Sequence, residues 1–199
     1  LAPPNALGAL LARKKAAGEK LLDLTQSNPT RVGLKYDRTA FLAALARPEA
    51  LVYEPDPRGL ATARRAIADY YHGLACPLDA DQLFLTASTS EAYALLFKLL
   101  GDPDDEVLIP NPGYPLLAYL ARFEGLRAVA YPTRHDEAAG WTIDLEVLQA
   151  LVTPRTRAVV LVNPNNPTGA YIKPAELAAL DELCRRFDLA LVVDEVFVD

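Results

Sequence analysis

Arg157-Ala158-Val159-Val160-Leu161-Val162 runs directly into Asn163-Pro164-Asn165-Asn166-Pro167-Thr168-Gly169. A second stretch, Leu189-Ala190-Leu191-Val192-Val193, stops in the same way on Asp194-Glu195. Both are apolar without alternation, which is how strands covered on both faces read, as parallel strands are. Working outward, 83–86, 106–110 and 127–131 also read as strands. Between them 89–100, 114–124, 145–152 and 175–187 carry helical spacing. Ala92, Leu95, Leu96, Leu99 and Leu100 form the expected inner face of the first helix. Leu177, Leu180, Leu183, Cys184 and Phe187 form that of the last, and Asp144 is the expected N-cap of 145–152. Alternating strands and helices predict an α/β fold: three layers, α/β/α, on a mostly parallel sheet.

The N-terminal part reads differently. Residues 1–20 suggest an amphipathic helix or arm with Leu7, Leu10 and Leu11 at helical spacing, and 21–33 a strand followed by the polar turn Thr25-Gln26-Ser27-Asn28-Pro29-Thr30. Pro48, Pro55, Pro57 and Gly59 punctuate 36–60. The expected division is a segment 1–35 and a main domain 36–199.

Composition removes several classes of function. The 199 residues are 51% hydrophobic and 23% charged, and 26 acids against 20 Lys and Arg give a net charge of −6. Nucleic acid is not an expected partner, because phosphate backbones call for a basic face. No run approaches the ~18 apolar residues of a membrane span, so no membrane is expected. The short apolar start lacks the layout of a signal peptide, and a cytoplasmic location is the expectation. Cys76 and Cys184 make no metal spacing or disulfide framework, and His72 and His135 read as surface or packing residues. The sequence has no methionine and closes just past an apparent core strand, which suggests part of a longer chain.

Ligands of open parallel sheets bind beyond the carboxyl ends of the strands, so the segments after each strand carry the chemistry. Ser88-Thr89-Ser90-Glu91 fits a capping box, and equally an anion site of helix N–H groups and hydroxyls. Asn111-Pro112-Gly113-Tyr114-Pro115 fixes Tyr114 at the rim, where it either packs in the core or offers a flat face for stacking. Asn166 is either part of a turn or an amide donor. Asp194 either caps a turn or meets a charged partner, since a carboxylate is costly to bury alone. Apolar residues followed by Asp-Glu also suggest a nucleotide hydrolase, but no glycine here is followed by lysine, as its phosphate loop requires. A phosphate, a planar ring and a basic ring nitrogen that needs an acid together describe pyridoxal phosphate.

Five segments in order resemble the N-terminal half of fold-type-I, class I/II aminotransferases. They are Tyr53-Glu54-Pro55-Asp56-Pro57-Arg58-Gly59, Thr86-Ala87-Ser88-Thr89-Ser90-Glu91-Ala92, Asn111-Pro112-Gly113-Tyr114-Pro115, Asn163 to Gly169, and Asp194-Glu195. The resemblance implies that 1–35 is an arm and small-domain segment, and that 36–199 begins a large pyridoxal-phosphate-binding domain, here incomplete. It implies that Ser88, Thr89 and Ser90 hold the cofactor phosphate, Tyr114 stacks on its ring, Asn166 bonds its phenolic oxygen and Asp194 pairs with its ring nitrogen. Tyr53 would reach the phosphate in the partner subunit of a homodimer, and Ser27 would line the substrate side.

The implied activity is amino-group transfer between an amino acid and a 2-oxo acid. The alternatives are a decarboxylase or lyase of the same fold, or a non-catalytic effector-binding domain. Phe197 stands where the family usually has tyrosine, which removes one hydrogen bond to the ring oxygen. None of Lys14, Lys15, Lys20, Lys35, Lys98 and Lys173 matches the family's Schiff-base lysine. The 199 residues alone are therefore expected not to catalyse transamination.

Overall fold

A computed structural model describes residues 6–22 and 28–198. The chain divides into two compact units, Leu1–Glu54 and Pro55–Asp199. In the first, α1 (Ala6–Ala16) has no buried residue, and α2 (Arg38–Leu45) starts from Asp37, whose carboxylate accepts the Ala40 N–H at 3.0 Å. The turn expected at 25–30 is described from Asn28 on. Asn28 caps a short 3-10 helix, Pro29–Arg31, by accepting the Thr30 N–H. Leu21 and Leu22 are not in a strand, and Ser27 lies outside the described residues.

The second unit contains α3 (Ala61–Gly73), α4 (Thr89–Leu100), β1 (Glu106–Asn111), α5 (Leu117–Phe123) and β2 (Arg127–Asp136). After these come β3 (Gly140–Ile143), α6 (Leu145–Ala150), β4 (Thr156–Val162), α7 (Pro174–Arg186) and β5 (Ala190–Asp194). The strands line up as β3-β2-β1-β4-β5, parallel except for the antiparallel β2–β3 pair.

Alternate strand residues serve opposite faces, as pleating requires. Val107, Ala158 and Val160 pack under Tyr93 and Phe97 of α4 and Leu117 and Ala121 of α5. Leu108, Val159 and Leu161 pack against Leu148 of α6 and Leu180, Leu183 and Cys184 of α7. This is the expected three-layer α/β/α arrangement on a mostly parallel sheet. Asp144 caps α6 by accepting the Val147 N–H at 3.1 Å, also as expected.

Four details depart from the sequence reading. Segment 83–86 is not a strand; among the described residues its link to another segment is one backbone bond, Leu85 N–H to Arg58 C=O at 2.9 Å. A strand needs a ladder, and apolar residues alone do not supply one. The helix expected from 114 begins at Leu117, after the turn that Pro112 and Pro115 stiffen. Strand 127–131 continues to Asp136 and turns into β3, because the Asp136 carboxylate accepts the N–H groups of Ala138 and Ala139, both at 2.8 Å. Finally, α4 buries Tyr93 and Phe97 rather than Leu95 and Leu99, which are 57% and 79% exposed. Two aromatic rings bury more area than two leucines and so choose the face. Leu177 and Phe187 likewise sit at the margin of the buried face of α7.

Polar pairs fix the amino end of the sheet. Asp105 is buried and accepts from Arg157 Nε at 2.7 Å. That guanidinium, with the Asp102 backbone, holds the Asp105 carboxyl below the usual carboxylate range. A carboxyl depressed in the folded state contributes stability above its unfolded pKa of about 3.9 and loses it as pH falls through the folded value. Asp105→Asn should therefore lower the urea midpoint at pH 7, with the gap to the unsubstituted chain closing below about pH 4. An equal gap at pH 7 and pH 3 would contradict this reading.

The two thiols also differ. Cys76 is exposed and Cys184 buried; burial, with Asp181 adding, pushes the Cys184 thiol up to about 11. Because the thiolate is the reactive form, a thiol reagent at pH 8 should label one cysteine rapidly and the second only in denaturant. Two rapidly labelled thiols would contradict the packing of α7.

Candidate active site

The sheet order places the site. From β1 the chain passes through α5 to β2 on one side; from β4 it passes through α7 to β5 on the other. Between β1 and β4 the direction of winding reverses, and open α/β sheets bind ligands outside the carboxyl ends of the strands at such a point. The loops after β1 and β4 meet there: Asn165 Nδ2 donates to the Pro112 carbonyl at 3.1 Å and to Thr168 Oγ1 at 3.0 Å. Among the described residues Asn165 Oδ1 is left buried without a hydrogen-bond partner. Pairing of Val162 with Asp194 brings the end of β5 to the same rim, and the Asn163 N–H donates to the Asp194 carbonyl at 2.8 Å.

The turn after β1 depends on Gly113. A Cβ there would lie 2.2 Å from the Pro110 carbonyl oxygen, so the chain doubles back too closely for any side chain. Tyr114 is thereby set against the core cluster that contains Tyr93 and Phe97.

Helix α4 points its N-terminus at the rim. Ser88 Oγ accepts the Glu91 N–H at 3.2 Å, the expected cap. The return bond of a capping box goes one residue further back, with Glu91 Oε2 accepting the Ala87 N–H at 2.6 Å. The N–H groups of Thr89 and Ser90 have no acceptor among the described residues. Two free donors, the positive end of a twelve-residue helix and neighbouring hydroxyls suit an anion.

One open cleft joins this helix start to the end of β5. Tyr71, Thr89, Tyr93, Asp194 and Glu195 are among the residues that line it. In it, Tyr93 Oη donates to Asp194 Oδ2 at 2.8 Å, and the Val196 N–H donates to Asp194 Oδ1 at 3.0 Å. Burial, with Asp194 as acceptor, raises the Tyr93 phenol far above its ordinary value, so it stays a neutral donor.

The structure thus brings Thr89 and Asp194 into one cleft, with Ser88 and Ser90 flanking Thr89. Tyr114 packs beside Tyr93, and Asn166 sits on the adjoining loop with no side-chain hydrogen bond among the described residues. Phe197 is exposed and outside the cleft wall. Tyr53 is exposed in the first unit. Sequence reasoning missed Tyr93, although a hydroxyl-bearing aromatic one helical turn after Thr89 was a signal for it.

Residues 19–199 match the family described as aminotransferase class I and II. The chain belongs to that family. It is 35% identical over 189 residues to an alanine aminotransferase of Mycobacterium bovis, which covers 94% of this chain and 43% of the relative. It is 32% identical over 187 residues to the glutamate-pyruvate aminotransferase AlaA of Escherichia coli strain K12, covering 93% and 45%. The structure resembles an alanine aminotransferase from Pyrococcus furiosus with TM-score 0.81 and 30% identity, over 95% of this chain and 48% of that one. The chain thus spans about half the length of these class I and II aminotransferases. Members of the family depend on pyridoxal phosphate, and the residues present fit that group. Free helix N–H groups match its phosphate, and a held carboxylate matches its ring nitrogen.

Among the described residues no lysine lines the cleft: Lys98 pairs with Glu124, and Lys173 donates to the Trp141 carbonyl. No helix is long and apolar enough to cross a membrane, and no cluster of potential metal ligands occurs among the described residues.

Proposed function

We propose that this chain forms the cofactor-binding part of a pyridoxal-phosphate-dependent aminotransferase that moves an amino group between an amino acid and a 2-oxo acid. The observation that carries the reading is the single cleft holding both a doubly hydrogen-bonded Asp194 and the unpartnered N–H groups at the start of α4. Ser88, Thr89 and Ser90 grip the phosphate through backbone and hydroxyl donors. Asp194 holds a proton on the ring nitrogen, Tyr114 covers one ring face and Asn166 donates to the ring oxygen. Bound there, pyridoxal phosphate supplies an electron sink for bond breaking at the substrate α-carbon.

The same reading carries a cytoplasmic homodimer in which Tyr53 reaches the partner's phosphate site and Ser27 lines the substrate side. It takes 1–35 as arm and small-domain segment and 36–199 as the start of the large domain. The names of the relatives make alanine and glutamate the first amino donors to try.

The test uses the full-length protein that carries this chain, titrated with pyridoxal phosphate and then assayed with alanine or glutamate and a 2-oxo acid. The expected result is saturable cofactor binding and transfer of the amino group to the oxo acid. Release of carbon dioxide or elimination without transfer would contradict the aminotransferase reading. Absence of cofactor binding would contradict the site.

A further inference from the structure

We propose that Tyr93 is a positioning residue that orients Asp194 toward the cofactor ring nitrogen, an assignment that rests on the pyridoxal-phosphate reading above. Asp194 needs such help. Among the described residues no cationic side chain lies within ion-pairing distance of it, and its two oxygens are held by one phenol and one backbone amide. The amide alone would fix Oδ1 and leave the carboxylate plane free to turn about its last side-chain bond, a soft torsion. The phenol at 2.8 Å fixes the second oxygen and with it the plane. Each oxygen keeps a further lone pair with which to accept from a ring N–H.

The phenol is itself well fixed. Tyr93 is 3% exposed, and its ring lies against Phe97 with centroids 5.6 Å apart inside the cluster formed with Val107, Leu117 and Val160. Its hydroxyl therefore cannot swing into solvent without dismantling the core.

The placement on α4 adds a second consequence. Thr89 and Tyr93 are four residues apart, on one helix face and about 6 Å apart along the axis. One rigid turn thus carries both the donors proposed for the phosphate and the group that aims the carboxylate at the opposite end of the ring. The separation of the two ends of the cofactor site is set by a helix rather than by loops.

The experiment uses the full-length protein and two probes. Pyridoxamine phosphate has no aldehyde, so its affinity reports non-covalent holding alone; the second probe replaces its ring nitrogen by carbon. Tyr93→Phe keeps the ring and removes the hydroxyl, and circular dichroism checks the fold. The expected result is a pyridoxamine phosphate affinity weakened about tenfold, the scale of losing one hydrogen bond to a charged group, with the carbon analogue changed by less than about twofold. In an Asp194→Asn background, Tyr93→Phe should cause no further loss.

Equal weakening of both probes, or a full additional loss in the Asp194→Asn background, would show that Tyr93 only supports packing and would overturn the proposal. An unchanged affinity would overturn it as well. If neither probe binds the unsubstituted protein, the cofactor reading itself fails, and the assignment of Tyr93 with it.

Discussion

Asp194→Asn is expected to lower kcat by about 10²- to 10³-fold, the cost typical of removing one preorganised electrostatic group from a reacting centre. Asparagine has nearly the same shape; its side-chain oxygen can still accept the Val196 N–H while its NH2 donates to the Tyr93 hydroxyl oxygen, so the fold and the cleft should survive. What disappears is the negative charge at the end of β5. A neutral amide no longer favours a proton on the ring nitrogen, and the ring withdraws electrons less strongly. The loss should fall on kcat more than on KM, because the charge matters most where negative charge develops on the ring. Steady-state kinetics of the full-length protein check this. A kcat within a few-fold of the unsubstituted enzyme would remove Asp194 from the role assigned to it.

Gly113→Ala should show the largest loss of stability among the single substitutions considered. The added Cβ would stand 2.2 Å from the Pro110 carbonyl oxygen, which is backbone at the end of β1 and cannot rotate away. Relief requires the turn to open, which moves Pro112 away from Asn165 and Tyr114 away from the core cluster. An overpacked position of this kind costs about 3 kcal/mol. For a domain of this size that is a fall of roughly 10 °C in Tm. Because the displaced turn carries Tyr114, cofactor affinity should fall too. Differential scanning calorimetry with and without pyridoxal phosphate measures both. A Tm within about 2 °C of the unsubstituted protein would mean that the turn is not as tight as described.

Much of this architecture is legible without coordinates, for identifiable reasons. Strands β1, β4 and β5 are found nearly to the residue, because continuous apolar runs bounded by Pro, Asn or Asp leave little choice. The caps at Ser88 and Asp144 are equally plain, since each bond is local to one turn. What escapes is whatever depends on a distant partner. Segment 83–86 has the composition of a strand but no ladder among the described residues. Helix α4 has two apolar stripes, and only the sheet beneath it decides that Tyr93 and Phe97 go in while Leu95 and Leu99 face out. Hairpin β2–β3 is the exception, because its turn is local: the Asp136 carboxylate accepts two backbone N–H groups there, and an antiparallel ladder from Asp136–Gly140 to Thr133–Ile143 follows.

The candidate site divides along the same line. Segments that follow strands are readable because a parallel sheet collects its carboxyl ends on one rim, so Tyr114, Asn166 and Asp194 stand out from the chain itself, whereas Thr89 follows a segment that is not a strand and is readable from the cap at Ser88 instead. Tyr93 does not, because its importance lies in a bond to a residue 101 positions away. Nor does the contact of Asn165 with Pro112, which ties the two loops at the point where the winding reverses.

The measurement that tests the central claim most directly is a crystal structure of the full-length protein grown with pyridoxal phosphate. The account predicts the phosphate within hydrogen-bond distance of the Thr89 and Ser90 N–H groups and the ring nitrogen facing the Asp194 carboxylate, with Tyr93 still donating to Oδ2. A cofactor bound elsewhere, or in this cleft with its ring nitrogen turned away from Asp194, would contradict it.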